Sequence, residues 1–175
     1  MWASFVLLLL FLGVGAIDGV YFHLNRYKLF AHSESRFEHF LHSIRALLLV
    51  GIVLLLYVLP GQAWPIYLAL ILVAIDLIVM AIDVWIEYKS RSNLGGLSRE
   101  EYTVHVLANT LHIMALTLAF ASRPLHYWQL DYSGALSFSP PQIIKTVSTI
   151  LLIPMAIGVI HHFLLLNSNF RNRFN

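Results

Sequence analysis

The 175-residue chain contains no cysteine. That excludes disulfides, thiolate metal sites and iron–sulfur clusters, and it removes any redox clue to the compartment. Charge is scarce as well. Only 11% of the residues are Asp, Glu, Lys or Arg, against about 25% in an average soluble domain. The formal net charge is +2 and no basic run accompanies it, so no nucleic-acid partner is expected. His-Glu-x-x-His, Gly-x-Ser-x-Gly and phosphate-binding-loop motifs are missing. Internal repeats, low-complexity segments and the alternating pattern of a membrane barrel are missing too.

Hydrocarbon is what the chain has in quantity. Hydrophobic residues make up 59% of it, and the mean hydropathy is +0.75. A bilayer core of about 30 Å needs roughly 20 helical residues to cross it. Five apolar stretches are that long, near 2–24, 39–59, 64–87, 102–122 and 142–166. Backbone polar groups in lipid must bond within their own segment, so these stretches predict helices. The expected fold is all-α: one polytopic membrane bundle of five transmembrane helices spanning residues 1–175, with the bilayer as its first partner. The run from Trp2 to Val20 lacks the basic flank and small-residue cleavage site of a signal peptide. It reads as the first span.

Breakers separate the spans. Pro60 and Gly61-Gln62-Ala63-Trp64-Pro65 read as a tight hairpin. Leu94-Gly95-Gly96-Leu97 stops the third helix, and Ser98 with Glu101 reads as a capping box for the fourth. Arg123 to Pro141 reads as a polar, aromatic loop. Arg26, Lys28 and Arg36 follow the first span, Lys89, Arg91 and Arg99 follow the third, and Arg171 and Arg173 lie in the tail. The positive-inside rule then puts the N-terminus outside and the C-terminus in the cytoplasm. The expected location is the inner (plasma) membrane of a bacterium.

Against this apolar background the polar residues are not scattered. Asp18 and His23 close the first span; Glu38, His39 and His42 open the second. Asp83 and Glu87 close the third, Glu101 and His105 open the fourth, and His161-His162 lie near the end of the fifth. All five helices therefore bring acids or histidines to one depth on the predicted cytoplasmic side. Residues four or seven apart share a helix face. Glu38, His42 and Arg45 make one stripe. Asp76, Asp83 and Glu87 make another, and Glu101, His105, Asn109 and His112 a third. On the first helix Asp18, Tyr21 and Asn25 share a face, and His23 is turned partly away. Only one of His161 and His162 is expected to point inward. His39 is expected to face the headgroups.

A charged residue at the centre of a lipid span costs about 2.5–3.5 kcal/mol on insertion scales. Asp18, Asp76, Asp83 and His112 should therefore face the bundle and be paired. Six carboxylates (Asp18, Glu38, Asp76, Asp83, Glu87, Glu101) meet one expected intramembrane arginine, Arg45. Protons, imidazolium or bound cations must supply the balance. Carboxylates mixed with neutral imidazoles on facing helices are the donor set of di-iron and di-manganese bundle sites. Here the pairs are Glu38-x-x-x-His42 and Glu101-x-x-x-His105, not Glu-x-x-His. Oxygen and imidazole donors without sulfur suit iron, manganese or zinc.

The leading expectation is a pair of divalent ions, iron first and manganese or zinc after it. The expected ligands are Glu38, His42, Asp83, Glu87, His105 and His112, with Asp18 and His162 next. Arg45, Asn109, Tyr21 and Tyr102 are expected around the ligands, and Asp76 on a proton path. The expected activity is oxidation of a lipid-like substrate. Membrane fatty-acid desaturases and hydroxylases carry His-x-x-His-His boxes, of which only His161-His162 is present. Three other readings compete. One is a b-type haem held by His112 with His23 or His162. Another is a proton or cation translocator. The last is a non-catalytic subunit of a larger membrane complex.

Overall fold

The structure, a computed structural model, describes residues 1–59, 63–128 and 139–172. The Pro60–Gln62 part of the hairpin, Asp131 and its neighbours in the aromatic loop, and Arg173 lie outside these residues. The described residues are helical and contain no strand. Helix α1 (Trp2–Ala16) continues as a π-helical segment, Ile17–Arg26. Helix α2 (Arg36–Val53) ends in a π-helical turn, Leu54–Val58. Then come α3 (Ala63–Ser90), α4 (Arg99–Ala121), α5 (Gln142–Leu166) and a short α6 (Ser168–Arg171). The first five are long and apolar enough to cross a membrane.

The helices run further into polar sequence than the apolar stretches do. α2 starts at Arg36, α3 continues to Ser90, and α4 starts at Arg99. Glu38, Glu87 and Glu101 near these ends fold inward, so the polar sequence around them is part of the bundle. Ser98 caps α4 as expected, its side chain accepting from the Glu101 N–H at 3.2 Å. Gly95 and Gly96 hold φ of 89° and 85°, a left-handed conformation that L side chains resist. They turn the chain so that the Leu94 and Gly96 N–H groups both donate to the Arg91 carbonyl.

α1 packs along α4, and α2 packs between α3 and α5. Gly51 permits the close approach of α2 and α3, since a Cβ there would lie 2.9 Å from Leu72 Cδ1. At the Met1 end the helices meet in an apolar core that includes Phe5, Leu8, Ile52, Leu56, Ala69 and Ala115. Large apolar side chains such as Ile78, Trp85, Ile153 and Ile157 stand on the outer surface. That is the surface of a helical bundle whose solvent is lipid. At the other end the core gives way to buried acids and histidines.

Candidate metal centre

Five helices contribute to this polar end. The residue that organises its first corner is His23. In an α-helix, Asp18 and His23 would point apart. Here they sit in the π-helical segment, where N–H groups bond five residues back, as Tyr27 does to Phe22. Residues five apart are thereby brought onto one face. His23 is 0% exposed, and its Nε2 lies 3.4 Å from Asp18 Oδ1 and 3.1 Å from His105 Nε2. This corrects the placement of His23 as turned away. The wider turn also separates Tyr21 from Asp18.

Three groups of side chains converge closely enough to share an ion: Asp18, His23 and His42; His23, Glu101 and His105; and Glu38, His42 and Asp83. His23 and His42 each belong to two groups, so the three form one continuous cluster. Their rings pack edge to face with centroids 4.2 Å apart. Asp18 Oδ1 is 2.7 Å from His105 Nε2, and Glu87 Oε1 touches His105 Nδ1. His42 Nε2 is 3.3 Å from Asp83 Oδ2 and 3.8 Å from Glu38 Oε1. Ions that bind imidazole at 2.0–2.1 Å hold neighbouring donors about 2.9–3.4 Å apart. The spacings of Asp18, His23 and His105 lie close to that range.

Buried oxygens without a hydrogen bond mark the same places. Asp83 Oδ1 and Glu101 Oε2 are of this kind, while Asp18 Oδ1 and Glu87 Oε1 meet only the His105 imidazole. A buried acceptor left unbonded costs about 1–3 kcal/mol, and more when charged. Cations bound in the cluster would complete these oxygens.

Two arginines hold the rest of the carboxylates. Arg91 is fully buried. It donates to Glu38 Oε2 from one terminal nitrogen at 2.6 Å and to Glu101 Oε1 from the other at 2.6 Å. The Ser90 hydroxyl donates to the same Glu38 oxygen. The guanidinium also lies 5.5 Å from the Tyr27 ring centroid. Burial works against its charge, but the Glu101 and Glu38 carboxylates outweigh burial and hold it above the ordinary arginine value. Arg91 had counted only as a loop charge, so the polar end holds two arginines, buried Arg91 and half-buried Arg45, rather than one. Arg45 lies 3.5 Å from both Asp76 and Asp83, and donates to Asn109 Oδ1 at 3.1 Å. Asp76 in turn accepts from His112 Nε2 at 2.9 Å. A haem bound through that nitrogen would have to break this bond.

Several expected positions need correction. Tyr21 and Tyr102 are 50% and 58% exposed. Tyr21 packs edge-on against Phe22 rather than near the acids. Both rings follow the rule that phenols settle at the lipid surface when no buried partner reaches them. His39 does not face headgroups: it is buried and donates from Nε2 to the His162 carbonyl at 3.2 Å. The His39 and His162 rings stack 5.0 Å apart. His162 lines the polar cavity, but its ring belongs with His39 rather than with any of the three groups. His112 likewise pairs with Asp76 and stands outside them.

The cluster opens into a cavity of about 510 Å³ bounded by all five long helices. Asp18, His42, Asp83, Glu87 and His105 form its polar end. Phe11, Leu12, Leu49, Leu151 and Met155 form its apolar end. Comparison with protein-family models, curated proteins and solved structures gives no match. Function must therefore be argued from the site.

Proposed function

We propose that the protein is an integral membrane metalloprotein that holds two divalent ions, iron first, in the acid–histidine cluster. One ion would take Asp18, His23 and His105 with Glu87 or Glu101. The other would take Glu38, His42 and Asp83. The observation that carries the reading is the linked set of three ligand groups, joined through His23 and His42. Charge supports it. At the polar end six buried carboxylates meet two guanidiniums, those of Arg45 and Arg91, and leave four negative charges, the charge of two divalent cations when the histidines are neutral. Neutral imidazole is the form that binds metal. A donor set rich in carboxylate and free of sulfur favours iron or manganese over softer ions.

Ions of this type, with dioxygen as oxidant, would support oxidation of a lipid-like substrate. The polar end would face the cytoplasm, the orientation that the positive-inside rule gives for Arg26, Lys28, Lys89 and Arg99. A reporter fused after residue 175 tests the sidedness.

The deciding experiment is elemental analysis with an absorption spectrum, on protein purified in detergent without chelators. About two equivalents of iron or manganese per chain, and no Soret band, are expected. Protein free of metal would overturn the reading. If it also co-purified with a stoichiometric partner, the role would pass to a subunit of a larger membrane complex. A Soret band lost in His112→Ala would assign the haem alternative instead.

A further inference from the structure

The cavity above the cluster has a shape and a polarity that the ligands do not explain. A metal site needs only room for its ions and a small ligand. Here about 510 Å³ is available, within the 300–1,000 Å³ typical of pockets for whole organic molecules. At roughly 30 Å³ for a water-sized group, that is room for about seventeen heavy atoms. Its lining on α5 runs from Leu151 to His162, eleven residues or about 16 Å along a helix axis. Most of the lining is hydrocarbon, interrupted by Arg45, Asp76, Asn109 and His112, and one end is acids and histidines. A molecule that matches has one apolar chain and one small polar end.

The walls are cut away where α1 and α5 border this space. Gly15 and Gly19 line it from α1, and Pro154 and Gly158 from α5. A Cβ built at Gly19 or at Gly158 would meet no atom within 4 Å. α1 packs on α4 and α5 packs on α2, so neither helix needs these glycines for a close approach to its main neighbour. Glycine in a helix interior is unfavourable by about 0.8–1.0 kcal/mol relative to alanine. The space the two leave open lies inside the membrane-crossing part of the helices, where the surrounding medium is lipid. Two buried atoms without a hydrogen bond, Asp83 Oδ1 and His162 Nδ1, belong to residues that line the cavity as well.

We infer that the cavity is the binding site of a single-chain lipid, an acyl or isoprenoid chain with one small polar end, that enters from the bilayer between Gly19 of α1 and Gly158 of α5. The chain lies against Phe11, Leu49 and Leu151, and the polar end lies at Asp18, His42 and Asp83. A diacyl phospholipid, with two chains and a phosphate headgroup, exceeds the volume. The inference rests on the metalloprotein reading only for what happens to the polar end; the binding itself needs no metal.

The test is equilibrium binding of two probes to the full chain in detergent, a tritiated fourteen-carbon primary alcohol and tritiated farnesol, both uncharged and within the cavity's room of about seventeen heavy atoms. Metal content is measured on the same samples. Gly19→Leu and Gly158→Leu are compared with Gly13→Leu. Gly13 is equally open but lies outside the cavity lining. Leucine is the better helix former, so loss of folding is not expected in any of the three. Gly19→Ala and Gly158→Ala serve as milder variants. At least tenfold weaker binding in both cavity variants, with Gly13→Leu unchanged, is expected, and the probe that binds the wild type distinguishes acyl from isoprenoid chains. Equal binding by wild type and both cavity variants would overturn the inference, and so would no binding of either probe. Weakened binding in protein that holds no metal would leave the lipid site standing and remove the metalloprotein reading. Intact metal with unaltered binding would do the reverse.

Discussion

The two ends of this bundle are built on opposite principles. At the Met1 end, apolar residues close on one another and the buried polar groups are few, among them Ser4, Ser148 and Arg123, which donates to the Leu56 carbonyl. The Ser4 hydroxyl donates to the Ala115 carbonyl at 2.8 Å and also bonds the Tyr57 hydroxyl. At the other end, carboxylates, imidazoles and guanidiniums fill the interior, and several buried oxygens carry no hydrogen bond. The same helices, α1, α2 and α4, form both ends. Stability alone would favour the first design throughout, since well-packed apolar replacements of buried ion clusters are often neutral or stabilising. The polar end is therefore the part of the molecule that function demands. Variants that only weaken packing at the apolar end should leave metal content at the polar end unchanged, and the contrast can be tested from both sides.

The largest effect should come from Arg91→Ala. It strips partners from Glu38 and Glu101 together, both fully buried. Removing one member of a buried ion pair costs about 3–5 kcal/mol. The thermal midpoint in detergent should fall steeply, or folded protein should not accumulate. Because the guanidinium is held above its already high ordinary value, its contribution is complete below that range. It would be lost only as pH rises through it, so the penalty should not vary across working pH. A midpoint within a degree or two of wild type would mean that the polar end is not held by this clamp.

Removing ligands should separate binding from folding. His105→Ala and Asp83→Asn touch different ligand groups. Each is expected to lower bound metal to about one equivalent, with the remaining ion bound at least tenfold more weakly. Ligand-supporting residues alone are worth 10–100-fold in such sites. Full metal content in both variants would remove these residues from the site. Asp76→Asn should behave differently. Asp76 joins Arg45 and His112 but belongs to none of the three groups. A loss of about 1–3 kcal/mol in stability is expected with metal retained. Loss of metal in Asp76→Asn would extend the centre deeper into the bundle than the geometry places it.

Much of this division could be read from residue order. Five apolar runs with acids and histidines at matching ends foretold both the helices and the convergence. Four-residue spacing paired Glu38 with His42 and Glu101 with His105, while the bond from Arg45 to Asn109 joins two helices and appears only in the structure. What could not be read was backbone geometry that departs from the α-helix. The π-helical segment of Ile17–Arg26 put His23 inside and Tyr21 outside, and periodicity of 3.6 residues predicts the reverse. Its one hint was the five-residue interval between Asp18 and His23, which has meaning only once the helix type is known. Arg91 was hidden for another reason. A basic residue in a short loop counts toward orientation, and nothing local marks one that turns inward. Its neighbours Gly95 and Gly96, which wrap the chain around it, were legible only as a helix stop.

The smallest effect belongs to the apolar end. Tyr57→Phe deletes the hydroxyl that bonds Ser4 and keeps the ring, which packs 6.2 Å from that of Phe5. Ser4 retains the Ala115 carbonyl as its acceptor, so no donor is stranded. A single satisfied hydrogen bond contributes about 0.5–1.5 kcal/mol net. The expected result is a loss of that size with metal content and probe binding unchanged. The ring stays in the apolar cluster that includes Phe5, Leu56 and Ala119, so the apolar packing itself is preserved. If Tyr57→Phe released metal, the two ends would be coupled through α1 and α2. The bundle would then be one cooperative unit rather than an apolar anchor carrying a polar site.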